Sequence, residues 1–205
     1  MKKSMRIIVS VLLLLTTVFS LAGCGEIKKA ERTVNDTFTA LKALDFETAS
    51  EFINIQDVMK TDDSDEPVDL ENNVFLENIF DKLEYEIISS EKIDKNTVIV
   101  RTKITAVDMA PVLQDFLTEA LQYAFANAFA DPPVSDEEMN KKMEEIFVGC
   151  INKEDLTTVT NEVDIKVVKV DKVWKIEVAD ELSDALLGGF KKAAEEISDS
   201  LGETE

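Results

Sequence analysis

The sequence contains no histidine, one tryptophan, two tyrosines, two cysteines and four prolines. Each shortage excludes something. Without histidine there is no Ser-His-Asp triad, no Cys-His pair and no imidazole ligand for a metal. Bases are scarce as well: 22 Lys+Arg face 42 Asp+Glu over 205 residues, a formal charge of −20. That balance argues against nucleic-acid binding, which needs clustered Lys and Arg to neutralise phosphate. It argues equally against adsorption to anionic lipid through a basic patch. No residue set calls for a metal or other cofactor. What is present in ordinary amount is apolar residue, 45 %, enough for one folded domain of this length.

There is one long uncharged run, Ile7 to Ala22, and it is sixteen residues. A membrane-spanning helix needs about twenty. Lys2, Lys3 and Arg6 precede the run and small residues end it, the pattern of a secretory signal peptide. The end, Leu21-Ala22-Gly23-Cys24, resembles the lipobox of bacterial lipoproteins. That resemblance implies cleavage between Gly23 and Cys24 and a diacylglyceryl group on the Cys24 thiol, later joined by a further acyl chain such as palmitate. Two or more chains give the double signal that stable anchoring requires. The expected mature protein is residues 24–205, lipid-anchored on the outer face of the cell membrane. The 23 residues removed carry three bases and no acid, so the charge falls to −23. Such a chain is soluble, self-repelling and expected to stand off an anionic bilayer. Cys150 is then the last thiol, so no internal disulfide forms. It follows Ile146 and Phe147 at helical spacing and reads as a small buried apolar residue.

The mature chain alternates helices with hairpins. Ile27, Ala30, Val34, Phe38, Leu41 and Leu44 mark one face of a helix over 26–44. Asp45 can cap a short second helix through Phe52 and Ile53. Thr61 to Asp69 is an acidic loop. Counted from Asp63, an EF-hand would need Gly and Glu where Val68 and Val74 stand, so it reads as a solvated loop. Leu70, Val74, Ile79, Phe80 and Leu83 suggest a third helix. Tyr85–Ile93 and Asn96–Val107 form a hairpin, with Val98, Val100, Thr102, Ile104 and Ala106 on one face. Asp108 can cap, and Pro111 can enter, a long apolar helix over 112–130. Its composition predicts cover on most sides, by the sheet and another helix. Ser135 and Glu138 form a capping box for the next helix. Thr157–Val178 is a second hairpin turning at Asp171-Lys172. Pairing Val170 with Val173 puts Val167 opposite Ile176, Lys166 opposite Glu177 and Lys169 opposite Trp174. The face with Ile165, Val167, Trp174, Ile176 and Val178 is expected to meet the long helix. Asp180 can cap a last helix over 180–201, carrying Leu182, Leu186, Phe190, Ala193, Ile197 and Leu201 with Gly188-Gly189 in its middle.

The resulting fold class is α+β: a curved antiparallel sheet of about four strands covered by helices, with a helical insertion near 110–150 and a C-terminal helix. The order of elements resembles the nuclear-transport-factor-2-like, or cystatin-like, cone. Further strings carry the likeness: the segment Val34 to Phe46, Ile104 to Met109, Val173-Trp174-Lys175-Ile176 and Asp184 to Phe190. With the lipobox, they resemble a family of Gram-positive bacterial lipoproteins catalogued as a domain of unknown function. The resemblance implies the fold and the anchor but no catalytic residues. Two functions follow. The first is a binding module for a protein or small apolar ligand. The second is a small lyase or isomerase, with Asp36 or Asp108 as general base and Tyr85 or Tyr123 polarising the substrate. Capping and half-buried rim positions account for those four residues better, because no spaced pair marks a reaction centre, and this favours the binding module.

Overall fold

The structure, a computed structural model, describes residues 24–60 and 74–202. The signal segment 1–23 and the acidic loop 61–69 lie outside the described residues, as does Leu70.

The first helix, α1 (Cys24–Lys42), buries Ala30, Val34, Phe38 and Leu41. Leu44 does not join them. It takes φ 56° and is 37 % exposed, while Asp45 N–H bonds the Ala40 carbonyl at 2.9 Å. This is a Schellman ending with leucine where glycine is usual. Asp45 then caps α2 (Phe46–Ser50), accepting from Thr48 N at 3.0 Å. A helix the sequence pattern did not suggest, α3 (Ile55–Met59), follows. Asn54 caps it, and Ile55, Val58 and Met59 are buried. Next comes α4 (Val74–Asp81), with Leu76, Ile79 and Phe80 buried.

Four strands form one antiparallel meander in the order β1 (Glu84–Lys92), β2 (Thr97–Val107), β3 (Thr158–Val170), β4 (Val173–Ile176). The expected registers hold. Val98, Val100, Thr102, Ile104 and Ala106 are all buried. Lys169 pairs with Trp174 and Val170 with Val173. Asp171 and Lys172 take φ of 49° and 73°, a two-residue turn of the primed kind without glycine. The other sheet face is solvated. It carries the bidentate Arg101–Asp164 pair at 2.8 and 3.0 Å and the Lys166–Glu177 pair at 2.8 Å. One wet and one dry face is the usual economy of an antiparallel sheet. The short β4 does not end in an open edge: Ile176 N–H bonds the Phe52 carbonyl at 2.7 Å.

After Val107 the chain leaves the sheet as α5 (Met109–Asn127), capped by Asp108, which accepts from Ala110 N at 3.2 Å. The helix α6 (Asp136–Ile151) starts at the Ser135–Glu138 capping box and returns the chain to β3. The last helix is two. Asp180–Leu186 is α7 and Phe190–Gly202 is α8, broken where Gly188 and Gly189 take φ of 61° and 79°. Asp180 lies inside the first turn of α7, and Ala179 occupies the cap position without a side-chain bond.

The dry sheet face meets α1 and α7, and the long helix makes no contact with β3 or β4. This corrects the expectation that the Trp174 face would pack on residues 112–130. The physical reason is where α5 departs. It begins beyond the end of β2, so only Met109, Val112 and Leu113 at its start are fully buried, with Phe116 and Tyr123 packed partly against the core.

Candidate functional site

The interior beneath the sheet is filled. Phe38, Ile104, Ile165, Leu182 and Leu186 are buried there, and Trp174 is 5 % exposed. Two of its buried polar side chains are satisfied locally, whereas the Trp174 indole N–H is buried without a partner among the described residues. Thr37 donates to the Thr33 carbonyl at 2.8 Å, and Ser183 donates to the Val58 carbonyl, tying α7 to α3.

The four polar residues considered for acid–base chemistry are not brought together. Asp36 is exposed on α1. Tyr85 stands at the start of β1, its ring 4.8 Å from Phe38 and its hydroxyl 3.4 Å from Thr39 Oγ1. Asp108 is spent on the α5 cap. Tyr123 lies four turns along α5, beside the groove between α5 and α6. No pair of these faces a shared cavity among the described residues. Cys150 is buried, with its Sγ 3.9 Å from Glu119 Oε1. Burial and then the Glu119 carboxylate push its thiol pKa up, the opposite of an activated nucleophile. No helix among the described residues is long and apolar enough to cross a membrane.

What the molecule does present is an arm, α5 with α6. Phe116 and Phe147 close its base edge-to-face at 5.5 Å. Lys153 bridges it, 2.8 Å from Asp115 and 3.5 Å from Glu119. Beyond this base one face of the helix is uncovered. Leu121 is 45 % exposed, Phe125 74 % and Phe129 97 %. Spacing by four puts Leu121 and Phe125 on one face of α5, and Phe129 follows in the turn just past its end. On the same arm runs an open groove of about 690 Å³, lined by Asp115, Thr118, Glu119, Gln122, Tyr123 and Lys142. Residues 109–153 contain eight acids and three lysines, so the arm is net negative, while the groove's own acids, Asp115 and Glu119, are paired with Lys153. The expected cover on most sides of this helix is absent for its second half. Apolar composition alone did not reveal that, because a buried helix and a docking helix share it.

A second cleft, about 450 Å³, lies between α7 and α8 and is lined by Lys60, Asp180, Asp184, Phe190, Lys191 and Glu195 among others. Its charges are mixed, and no group of acids among the described residues is arranged to hold a metal ion.

No family model matches the chain, and no curated protein matches it. Among solved structures it is similar to a "putative lipoprotein (ycdA)" from Bacillus subtilis, at 18% identity and a TM-score of 0.38. That likeness covers 59% of this chain, and the chain spans 38% of the other protein's length. No residue role passes between the two at that level.

Proposed function

We propose that the protein is an extracytoplasmic lipoprotein, anchored through lipid on Cys24, whose role is to bind a protein partner through the α5–α6 arm. The observation that carries the binding half is the exposure of Leu121 and Phe125 on α5 and of Phe129 just past its end, since two phenylalanines this exposed are costly to leave in water unless they are used. The anchor half rests on the Leu21-Ala22-Gly23-Cys24 string after a short apolar run. Exposed apolar side chains on an arm of net negative charge complement a helix or strand with apolar anchors and flanking Lys or Arg. A small ligand inside the cone is the weaker reading, because the sheet's concave face is occupied by α1, α7 and Trp174. The lyase or isomerase reading is weaker still, since its carboxylates and tyrosines stand apart. The kinship to a cystatin-like cone remains part of this proposal and rests on the order of elements.

A photo-crosslinking amino acid at position 129, in cells, tests the binding half. The expected result is a discrete adduct whose crosslinked peptide is basic and apolar. It should disappear when Phe125→Ser is added and be absent when the crosslinker replaces Arg101 on the wet sheet face. An adduct of twice the chain's own mass would instead make this face of the arm a self-association surface. Equal, diffuse labelling from positions 129 and 101 would contradict a docking site.

A further inference from the structure

The helix that starts at the anchoring residue runs along the sheet. At its far part Phe38 packs on Tyr85, the beginning of β1. At its start Glu26 lies 3.7 Å from Lys169, which stands 5.8 Å above the Trp174 ring beside the β3–β4 turn. Lys169 N–H in turn bonds the Asn96 carbonyl at 2.8 Å, so the β1–β2 turn is held at the same end. Cys24 is two residues before Glu26, a rise of about 3 Å in a helix. Both hairpin tips and the first helical turn therefore share one end of the molecule, and α5 leaves from the opposite end, after Val107.

This end differs in charge and polarity from the rest. Segments 24–29, 91–96 and 169–175 hold seven lysines and four acids, in a mature chain of net −23. Three of its apolar side chains are uncovered: Ile93 is 56 % exposed, Val170 48 % and Val173 47 %. Val170 and Val173 are direct cross-strand partners flanking the turn. Exposed apolar tips ringed by lysine suit the boundary between acyl chains and anionic headgroups. The global acidity does not oppose this contact, because screening limits the bilayer's field to about 8 Å at physiological salt. Only charges near the lipid count, and here their balance is basic.

We propose that the hairpin end of the sheet, with Ile93, Val170 and Val173 at its tips and Lys95, Lys169 and Lys172 around them, is a contact surface for an anionic bilayer. The domain stands on this end with its acidic body outward and the arm directed away from the membrane. The inference rests on the lipid anchor at Cys24. It also revises the sequence expectation that no basic patch meets lipid. Total charge hid a local excess that only folding assembles from three separate segments.

Trp174 is the sole tryptophan and sits just beneath this surface, so it reports on the contact without labelling. The mature lipidated chain is reconstituted into phosphatidylglycerol vesicles whose acyl chains carry bromine at shallow depth. Flotation reads the anchor, and quenching of the tryptophan reads the orientation. The expected result is a floating protein whose emission is quenched. The quenching should be lost in Lys95→Glu/Lys172→Glu, which still floats, and reduced in phosphatidylcholine vesicles. A floating protein with unquenched emission, or with quenching untouched by the charge reversal, overturns the orientation and leaves the anchor standing. A chain that does not float overturns the anchor, and the orientation with it.

Discussion

At the scale of single residues, the core depends on a few side chains whose removal has separable effects. Trp174 fills the space between β4 and α1 and is 5 % exposed. Trp174→Ala should cost about 3–5 kcal/mol, the range for a buried aromatic cut to alanine. The readout is a fall in the urea midpoint with the slope unchanged. Ser183, fully buried, donates to the Val58 carbonyl. Ser183→Ala should cost about 1–3 kcal/mol, since the carbonyl is left unpaired out of water. Leu44 offers the opposite case. An L-residue held at φ 56° pays about 1–2 kcal/mol that glycine does not, and Leu44 packs little. Leu44→Gly should therefore raise the midpoint despite deleting an apolar side chain. The pH dependence follows from charge-assisted bonds. Hydrogen bonding and the nearby Arg101 charge hold the Asp164 carboxyl below its ordinary value, and the Thr48 and Ser135 bonds do the same for Asp45 and Glu138. A depressed folded pKa contributes stability above the unfolded value, and that contribution is lost as pH falls through the folded one. Thermal scans should show this loss below about pH 4, the unfolded carboxylate range. Asp164→Asn should flatten its part of it.

At the scale of elements, much of the architecture was legible in the amino-acid pattern. Period-two alternation placed β2 and the β3–β4 register residue by residue, because a one-residue slip would have turned Lys166 and Glu177 into the core. The caps at Asp45, Asp108 and Ser135 were legible because their side chains satisfy helix N–H groups locally. Other features were not, α3 and the uncapped start of α7 among them, and two matter most. The exposure of α5 depends on where the chain leaves the sheet, which no local string encodes. The break between α7 and α8 was visible only as an odd Gly188-Gly189 pair in an otherwise helical stripe. The structure shows its cause. A Cβ on Gly188 would lie 1.7 Å from the Val107 carbonyl oxygen, and Met109 N–H bonds the Gly188 carbonyl at 2.9 Å. Gly189 has open space around it and needs only its positive φ of 79°. Gly188→Ala should thus be far more damaging than Gly189→Ala, for which about 1–2 kcal/mol of backbone strain is expected. Equal losses in parallel denaturation curves would mean that the crossing of α7 over β2 is looser than drawn.

At the scale of the whole molecule, the charge of −20 sets limits that no single contact removes. Like charges crowd the folded surface more than the unfolded chain, so neutral-pH stability should rise with added salt as screening shortens from about 30 Å at 0.01 M to about 8 Å at 0.15 M. A melting temperature that instead fell over that range would assign the surface pairs more weight than exposed ion pairs usually carry. The same charge distribution separates the two proposed surfaces: hairpin tips beside Cys24, and a net acidic arm that starts from the far side of the sheet. The membrane-facing one presupposes the anchor. Mass spectrometry of the N-terminal peptide from the membrane fraction of producing cells tests it directly. The expected peptide begins at Cys24 with a diacylglyceryl thioether. A peptide that retains Met1, or begins elsewhere with Cys24 unmodified, would contradict it.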